Sequence, residues 1–403
     1  MQIVSLKVAT SEEAQVRVQS LPAWLTKTTG ILLQTEPLWI VPILGYSYLL
    51  TLSLVPGPSW LAWVGLAIAC IPFLLRKIRW GYLSIRSAFE IPVAIFLAGA
   101  IIGVIISTDL ALSIRTFQSL LVGILFYYSA VNYQHPRLLI VVGGFLVMIF
   151  WFLVPVSAYI GIIPVSPTTT ISSKLIGLLG NLPILTQPTI DGTPILTWGS
   201  AYGVALPMLV LAAILIGVLL FSQKTWLRII SLFFCIVLFL IMYSIASEGI
   251  ERLFNGTTLQ SRIDLWKDTI HMIKMNPISG LGLGMPLLFT YGAFEFEIHH
   301  PHNSYLEVYA NVGIIGILAG LVCLFFLAKL SVSIIRGGRS NPWYSFGIGL
   351  LIATFVIVLF SIIDTFLSGH IAKHSGGYYY ALSLVPWGLG AGLVMSQRII
   401  ESK

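Results

Sequence analysis

The sequence predicts an all-α, polytopic integral membrane protein with about ten transmembrane helices, ten to twelve in range. One large extracytoplasmic loop carries an amphipathic interfacial helix. Three observations predict this class. Hydrophobic residues make up 57% of the chain and charged residues 9%, with mean hydropathy +0.94, where a soluble domain carries about 25% charge. Apolar runs near the length of a bilayer span recur along the chain. A single long polar interruption, Ser261 to Gly316, separates two greasy blocks and holds four of the 7 histidines.

Residues 1–37 are mixed in polarity and lack an apolar leader core, so they are expected as a cytoplasmic N-terminal tail, with a surface helix as an option. Residues 38–245 carry spans one to seven, at about 38–55, 59–75, 88–107, 112–131, 138–163, 196–221 and 226–245. Residues 246–303 form the extracytoplasmic loop. Residues 304–396 carry the last three spans, at about 304–328, 343–366 and 378–396, and 397–403 a short cytoplasmic tail. Only helices satisfy their backbone groups in lipid, apart from closed barrels, whose alternating pattern is missing here. Cys70, Cys235 and Cys323 sit in apolar runs and form no disulfide framework.

Orientation follows the positive-inside bias. Arg76, Lys77, Arg79 and Arg86 cluster after the second run. Placing that connection inside puts both termini in the cytoplasm and 15 of the 22 Lys and Arg residues with them. The loop 246–303 then lies outside. The net charge of +7 is dispersed, and no basic run with interleaved aromatics points to nucleic acid.

Within the polar stretch, Ile263, Trp266, Ile270 and Ile273 recur at helical spacing, while Arg262, Lys267, Asp268, His271 and Lys274 fall largely elsewhere. The pattern predicts a helix over 261–275 lying flat on the membrane surface, ended by Asn276-Pro277. Gly280-Leu281-Gly282-Leu283-Gly284 follows. No strand precedes it, so it is no dinucleotide fingerprint, and a flexible turn re-entering the interface accounts for it. Glu295 to His299 alternates as an extended segment does. His302 and Asn303 then stand at the mouth of the next membrane helix, which Asn303 can cap.

His302-Asn303-x9-Gly313-x-x-Gly316, preceded by Arg262-x-x-x-Trp266 and Asn276-Pro277-Ile278-x-Gly280-x-Gly282, resembles the signature loop of the O-antigen ligase and O-antigen polymerase family. Members are bacterial membrane glycosyltransferases that take glycans from undecaprenyl diphosphate. The resemblance covers roughly the stretch from Ser261 to Gly316; elsewhere the chain is similar only in being polytopic. It implies an enzyme of the bacterial cytoplasmic membrane, with a polyprenyl-diphosphate-linked glycan as donor, a glycan or lipid as acceptor and no cofactor. The family's Ser-Arg-Gly has no counterpart; Ser247-Glu248-Gly249 stands nearest, which leaves Arg252 or Arg115 for its arginine.

The residue chemistry fits such a reaction. A leaving diphosphate needs its charge neutralised, and arginine's planar fork binds phosphate oxygens bidentately. Arg262, Arg115 and Arg252 are the candidates, although lipid headgroups would occupy any one of them equally well. An acceptor hydroxyl must lose a proton, and a neutral imidazole accepts one near neutrality. His302 is the candidate base, with Arg262 as its catalytic partner; Asn303, Trp266 and Lys267 complete the candidate substrate-binding set. Glu295, Glu297, His299, His300 and His302 offer metal donors, but their spacing fits no standard site, and no metal is expected. A polymerase of the same family, a small-anion transporter and an inactive glycan-binding protein are the alternatives. A transporter would keep ionisable residues near the midplane, whereas Glu90, Asp109 and Asp364 lie at span ends.

Overall fold

The computed structural model describes residues 22–51, 60–132, 199–236, 256–285, 287–291, 294–298, 301, 303–363 and five positions between 388 and 394. The described residues are helical apart from one β-hairpin. The helices are α1 (Ala23–Gln34), α2 (Glu36–Thr51), α3 (Trp60–Ala69), α4 (Ile71–Trp80), α5 (Glu90–Ile106), α6 (Leu110–Asn132) and α7 (Gly199–Phe221). There follow α8 (Thr225–Ile236), α9 (Gly256–Met275), the antiparallel strands β1 (Leu287–Tyr291) and β2 (Phe294–Ile298), α10 (Ser304–Ile335) and α11 (Tyr344–Ile363). The hairpin is a difference from the all-helical expectation, and β2 falls on the stretch whose alternation reads as extended.

Three helical stretches are long and apolar enough to cross a membrane: Trp60–Trp80, Leu110–Asn132 and Ser304–Ile335. Five shorter apolar helices accompany them among the described residues: Leu38–Ser47, Glu90–Ile106, Val210–Phe221, Thr225–Ile236 and Tyr344–Leu359. The first long stretch is interrupted at Cys70, the joint between α3 and α4. Pro72 brings no N–H to the helical ladder there, so the break has a local cause. The expected run at 138–163 lies outside the described residues, as does most of the one at 378–396.

Two clusters of buried side chains hold the helices together. The larger joins α6, α7, α10 and α11 through Tyr127, Val131, Ile214, Leu327, Ile334 and Leu350. The axes of α7 and α11 approach closely where Gly217 meets Gly349: a Cβ on Gly217 would stand 2.7 Å from the Gly349 Cα. Small residues at such crossings are how membrane helices gain contact when lipid offers no hydrophobic driving force. The second cluster joins α2, α3 and α6 through Ile40, Leu44, Leu66, Val122 and Phe126.

One charged contact ties the first helices to this frame. Arg76 on α4 pairs with Glu36, the first residue of α2, and the two side chains are 2% and 1% exposed. The Ser129 hydroxyl on α6 donates to the other Glu36 oxygen at 2.9 Å. Arg79 donates to the Thr26 carbonyl of α1 at 3.1 Å. Part of the segment expected as an N-terminal tail, with a surface helix as an option, is α1, which packs against α4.

Removing one partner of a buried pair strands the other charge. Arg76→Ala is expected to destabilise the fold by about 3–5 kcal/mol. Thermal unfolding in detergent reads this, and Glu36→Leu with Arg76→Met should recover most of the loss. An unchanged midpoint in Arg76→Ala would contradict the pairing.

Candidate active site

The polar stretch folds as α9, a glycine-rich loop, the hairpin and the upper turns of α10. Helix α9 starts at Gly256, earlier than the expected residue 261, and ends at Met275. Asn276 N–H bonds the Ile273 carbonyl at 3.0 Å, and Asn276-Pro277 ends the helix as expected. Its buried face differs from the expected one. Arg262 is 8% exposed, Thr269 0% and Ile273 4%, with Trp266 half-buried between them. These positions follow the i, i+4, i+7, i+11 spacing of one helical face. Ile270, expected on the apolar face, is 42% exposed. The inward stripe of α9 therefore carries a guanidinium.

Trp266 fixes this helix to the start of α10. Its indole N–H donates to the Pro301 carbonyl at 2.9 Å. Further along, Ile273 packs with Ala310, among Leu281, Leu306 and Tyr309. Helices α9 and α10 thus run side by side in the same direction. Lys267 is on the exposed side of α9, 3.1 Å from Asp264, with side chains 67% and 52% exposed. Hydrogen bonds from Lys267 and Gln260 hold the Asp264 carboxyl below its usual range. A solvated pair of this kind contributes little stability.

Asn303 caps α10. Its Oδ1 accepts the backbone N–H groups of Tyr305 and Leu306, both at 3.0 Å. This satisfies donors that every helix start leaves open. Its Nδ2 donates to the Ile362 carbonyl at 3.0 Å, which ties α10 to the end of α11. The side chain is thereby engaged with backbone at the start of α10 and the end of α11.

Helix α10 is bent at Gly313, whose φ of 71° and ψ of −164° lie where only glycine sits comfortably. A Cβ there would overlap the Ile278 carbonyl. The bend leaves carbonyls of the preceding turn without helical partners, and the Gly280–Gly284 loop supplies donors. Leu281 N–H bonds the Ala310 carbonyl at 2.6 Å. Gly284 N–H bonds Asn311 Oδ1 at 2.5 Å, while Asn311 Nδ2 donates to the Glu307 carbonyl at 2.8 Å.

The same loop also grips the C-terminal part of α5 and the N-terminal part of α6. Leu283 N–H bonds the Gly103 carbonyl at 3.0 Å, and the Ser113 hydroxyl donates to the Leu283 carbonyl. The expected flexible turn is thus a clamp bonded on both sides. Four of its N–H groups, on Gly280, Leu281, Leu283 and Gly284, are taken by protein acceptors, which leaves them unable to cradle a phosphate. Arg115 is exposed on the second turn of α6, two residues past Ser113. The clamp therefore brings the Arg115 turn to the polar stretch.

Arg252 and His302 lie outside the described residues, as do His299 and His300. Of the metal donors considered, Glu295 and Glu297 lie on β2, opposite Thr290 and Leu288. Two polar residues that sequence reasoning passed over belong to the site. Glu307, in the first turn of α10, is 1% exposed, and Asn311 is 6% exposed. Their signal was present: Asn303, Glu307 and Asn311 recur every four residues inside an apolar run, and an ionisable residue in such a helix marks function by default.

Residues 203–321 match the family model described as O-antigen ligase. The matched segment includes α9, the clamp loop, the hairpin and α10 through its bend. No curated protein matches the chain.

Gly313→Ala is expected to cost about 1–3 kcal/mol for the backbone alone, with the overlap against Ile278 added. Trp266→Phe removes a single hydrogen bond, worth about 1 kcal/mol. Thermal unfolding of the two purified variants should rank Gly313→Ala as the more damaged. The reverse order would contradict the bend as the structural centre of the site.

Proposed function

We propose, from the premise that residues 203–321 carry an O-antigen ligase domain, that the protein is a membrane glycosyltransferase of the bacterial cytoplasmic membrane. It moves a glycan from a polyprenyl diphosphate, undecaprenyl diphosphate by class, to an acceptor at the outer face. Ligase and polymerase members share this donor chemistry, with a lipid or a second glycan as acceptor. The proposal includes about ten spans, both termini inside and the loop 246–303 outside.

One observation carries the reading: Arg262 is buried on the face of α9 that Trp266 pins to Pro301, next in the chain to His302. A mostly apolar chain keeps a guanidinium out of water only with good cause. A diphosphate arriving on a lipid tail supplies such a cause, because the arginine fork binds it bidentately.

The reaction then runs as a displacement. The acceptor hydroxyl attacks the anomeric carbon, and its proton passes to the His302 imidazole. The bond from that carbon to the diphosphate oxygen breaks, and the electron pair leaves with the diphosphate. Arg262 neutralises the charge that develops there, with Arg115 or Arg252 as a second cation. Asn303, next in the chain to the proposed base, holds the start of α10 through its bonds to the Tyr305 and Leu306 N–H groups. The steps use no metal ion.

Arg262→Ala should lower turnover by about a hundredfold or more, the usual cost of removing one donor to developing charge. Arg262→Lys should not restore it, because lysine keeps the charge but not the fork. His302→Ala should lower turnover by about 100- to 10,000-fold with donor binding retained. Lipid-linked glycan consumption by purified variants at matched membrane levels checks all three. Wild-type rates in Arg262→Ala and His302→Ala would remove both residues from the mechanism.

A further inference from the structure

The C-terminal end of α10 lies about 35 Å along the helix from the bend at Gly313, at 1.5 Å per residue. Two connections meet there. Gln223, between α7 and α8, donates from Nε2 to the carbonyl of Arg339, between α10 and α11, at 3.0 Å. Each connection is also braced within itself. Arg228 Nε donates back to the Ser222 carbonyl at 2.6 Å, and Asn341 Nδ2 donates to the Ile334 carbonyl at 3.1 Å. The close crossing of α7 and α11 at Gly217 and Gly349 holds the helices that lead into them.

Charge at this place is of one sign. Residues 199–236 and 308–363 contain no aspartate or glutamate, and their charged residues are Lys224, Arg228, Lys329, Arg336 and Arg339. All five are exposed, and among the described residues none of them pairs with a carboxylate. The neighbouring α5 brings Glu90 to this end, where the Phe89 and Phe326 rings stand 6.0 Å apart. One Glu90 oxygen already accepts the Ser87 N–H at 3.1 Å.

Apolar surface adjoins the cations. Trp226, Ile229, Ile230 and Phe233 are all exposed, Trp226 by 57%. They recur at i, i+3, i+4 and i+7, which gives α8 one apolar face beginning beside Lys224. A tryptophan next to lysine and arginine marks the level where a membrane helix meets lipid headgroups. The positive-inside bias accounts for cations in each connection separately. It gives no reason for one connection to be bonded to the other.

We propose that these two joined connections form a binding site for an anionic phospholipid of the bilayer. Lys224, Arg336 and Arg339 meet its headgroup phosphate on side chains long enough to reach the headgroup layer, and its acyl chains lie along the apolar face of α8. Basic pockets between membrane helices recognise anionic headgroups in this way. The apolar face singles out a lipid over a soluble anion, and the unopposed cations single out an anionic lipid over a zwitterionic one. The site stands at the end of α10 opposite the clamp and needs neither Arg262 nor His302.

Titration of purified full-length protein in neutral detergent with fluorescent phosphatidylglycerol tests this, with fluorescent phosphatidylcholine as the comparison. Phosphatidylglycerol should bind more than about tenfold more tightly, and raising salt to about 0.5 M should weaken it. Lys224→Gln and Arg339→Gln should each weaken phosphatidylglycerol binding about fivefold, the effect of one cation near an anionic surface. Lys274→Gln, on the exposed side of α9, should leave it unchanged. Gln223→Ala removes no charge but parts the two connections, and should also weaken binding. Equal binding of the two lipids would overturn the proposal, as would wild-type binding in both Lys224→Gln and Arg339→Gln. An equal loss in Lys274→Gln would overturn it in favour of long-range charge alone, and wild-type binding in Gln223→Ala would overturn the joined site. Displacement of the lipid by an equal concentration of glycerol phosphate would assign a soluble phosphate instead. The lipid comparison uses the wild-type protein alone, so it decides even where a variant is not recovered.

Discussion

The bend at Gly313 is the constraint on which the rest of the site depends. Helix α10 contains 32 residues, about 48 Å at 1.5 Å each, which exceeds the hydrocarbon core. Bending it at Gly313, toward its N-terminal end, separates a short first segment from the longer apolar shaft. That segment, Ser304 to Val312, follows the cap Asn303 and carries the buried Glu307 and Asn311. The bend also opens acceptors that a straight helix would fill. The Gly280–Gly284 loop occupies them and, with its other bonds, holds Gly103 and Ser113. One backbone irregularity thus draws α5, α6, α9 and α10 to a single place. A site built on elements locked together in this way keeps its side chains in register, as catalysis on a rigid scaffold requires.

Charge is scarce in this chain, and among the described residues the buried charges occur at two places with different consequences. Glu36, Arg76 and Ser129 form a set joining α2, α4 and α6. Such a set fixes the arrangement of helices and need not meet a ligand. Arg262 and Glu307 lie instead within the matched family segment, on or beside its polar stretch. Burial alone would give both places equal weight as functional candidates. The surroundings distinguish them: the first meets α6 at Ser129, far along that helix from the Ser113 that the clamp holds, while the second is connected to the clamp through Asn311 and to Pro301 through Trp266.

Much of this was legible in the sequence for clear physical reasons. Apolar runs mark helices because lipid leaves the backbone few other options, and Asn303 reads as a cap because its short side chain reaches the first N–H groups. The alternation before His299 reads as a strand, and β2 lies there. Other features were hidden. The helical pattern of α9 points Ile270 inward, yet the stripe of Arg262, Trp266, Thr269 and Ile273 is the buried one. Periodicity weighs hydrophobicity and cannot see that a partner helix offers a place for a guanidinium. The clamp was equally hidden. Gly280, Gly282 and Gly284 look like a loose turn, and their positive φ values become meaningful only once Gly103, Ala310 and Asn311 are seen as partners. Glu307 was overlooked because a lone carboxylate barely lowers the hydropathy of a long apolar run.

The central claim is that the outer end of α9 and α10 transfers a glycan from a lipid diphosphate. Its most direct measurement uses the full-length protein reconstituted in vesicles containing an undecaprenyl-diphosphate-linked glycan and, in turn, a lipid or a lipid-linked glycan acceptor. The account predicts that glycan appears on one of these acceptors in step with released undecaprenyl diphosphate. Donor that stays intact with both acceptors present would contradict it.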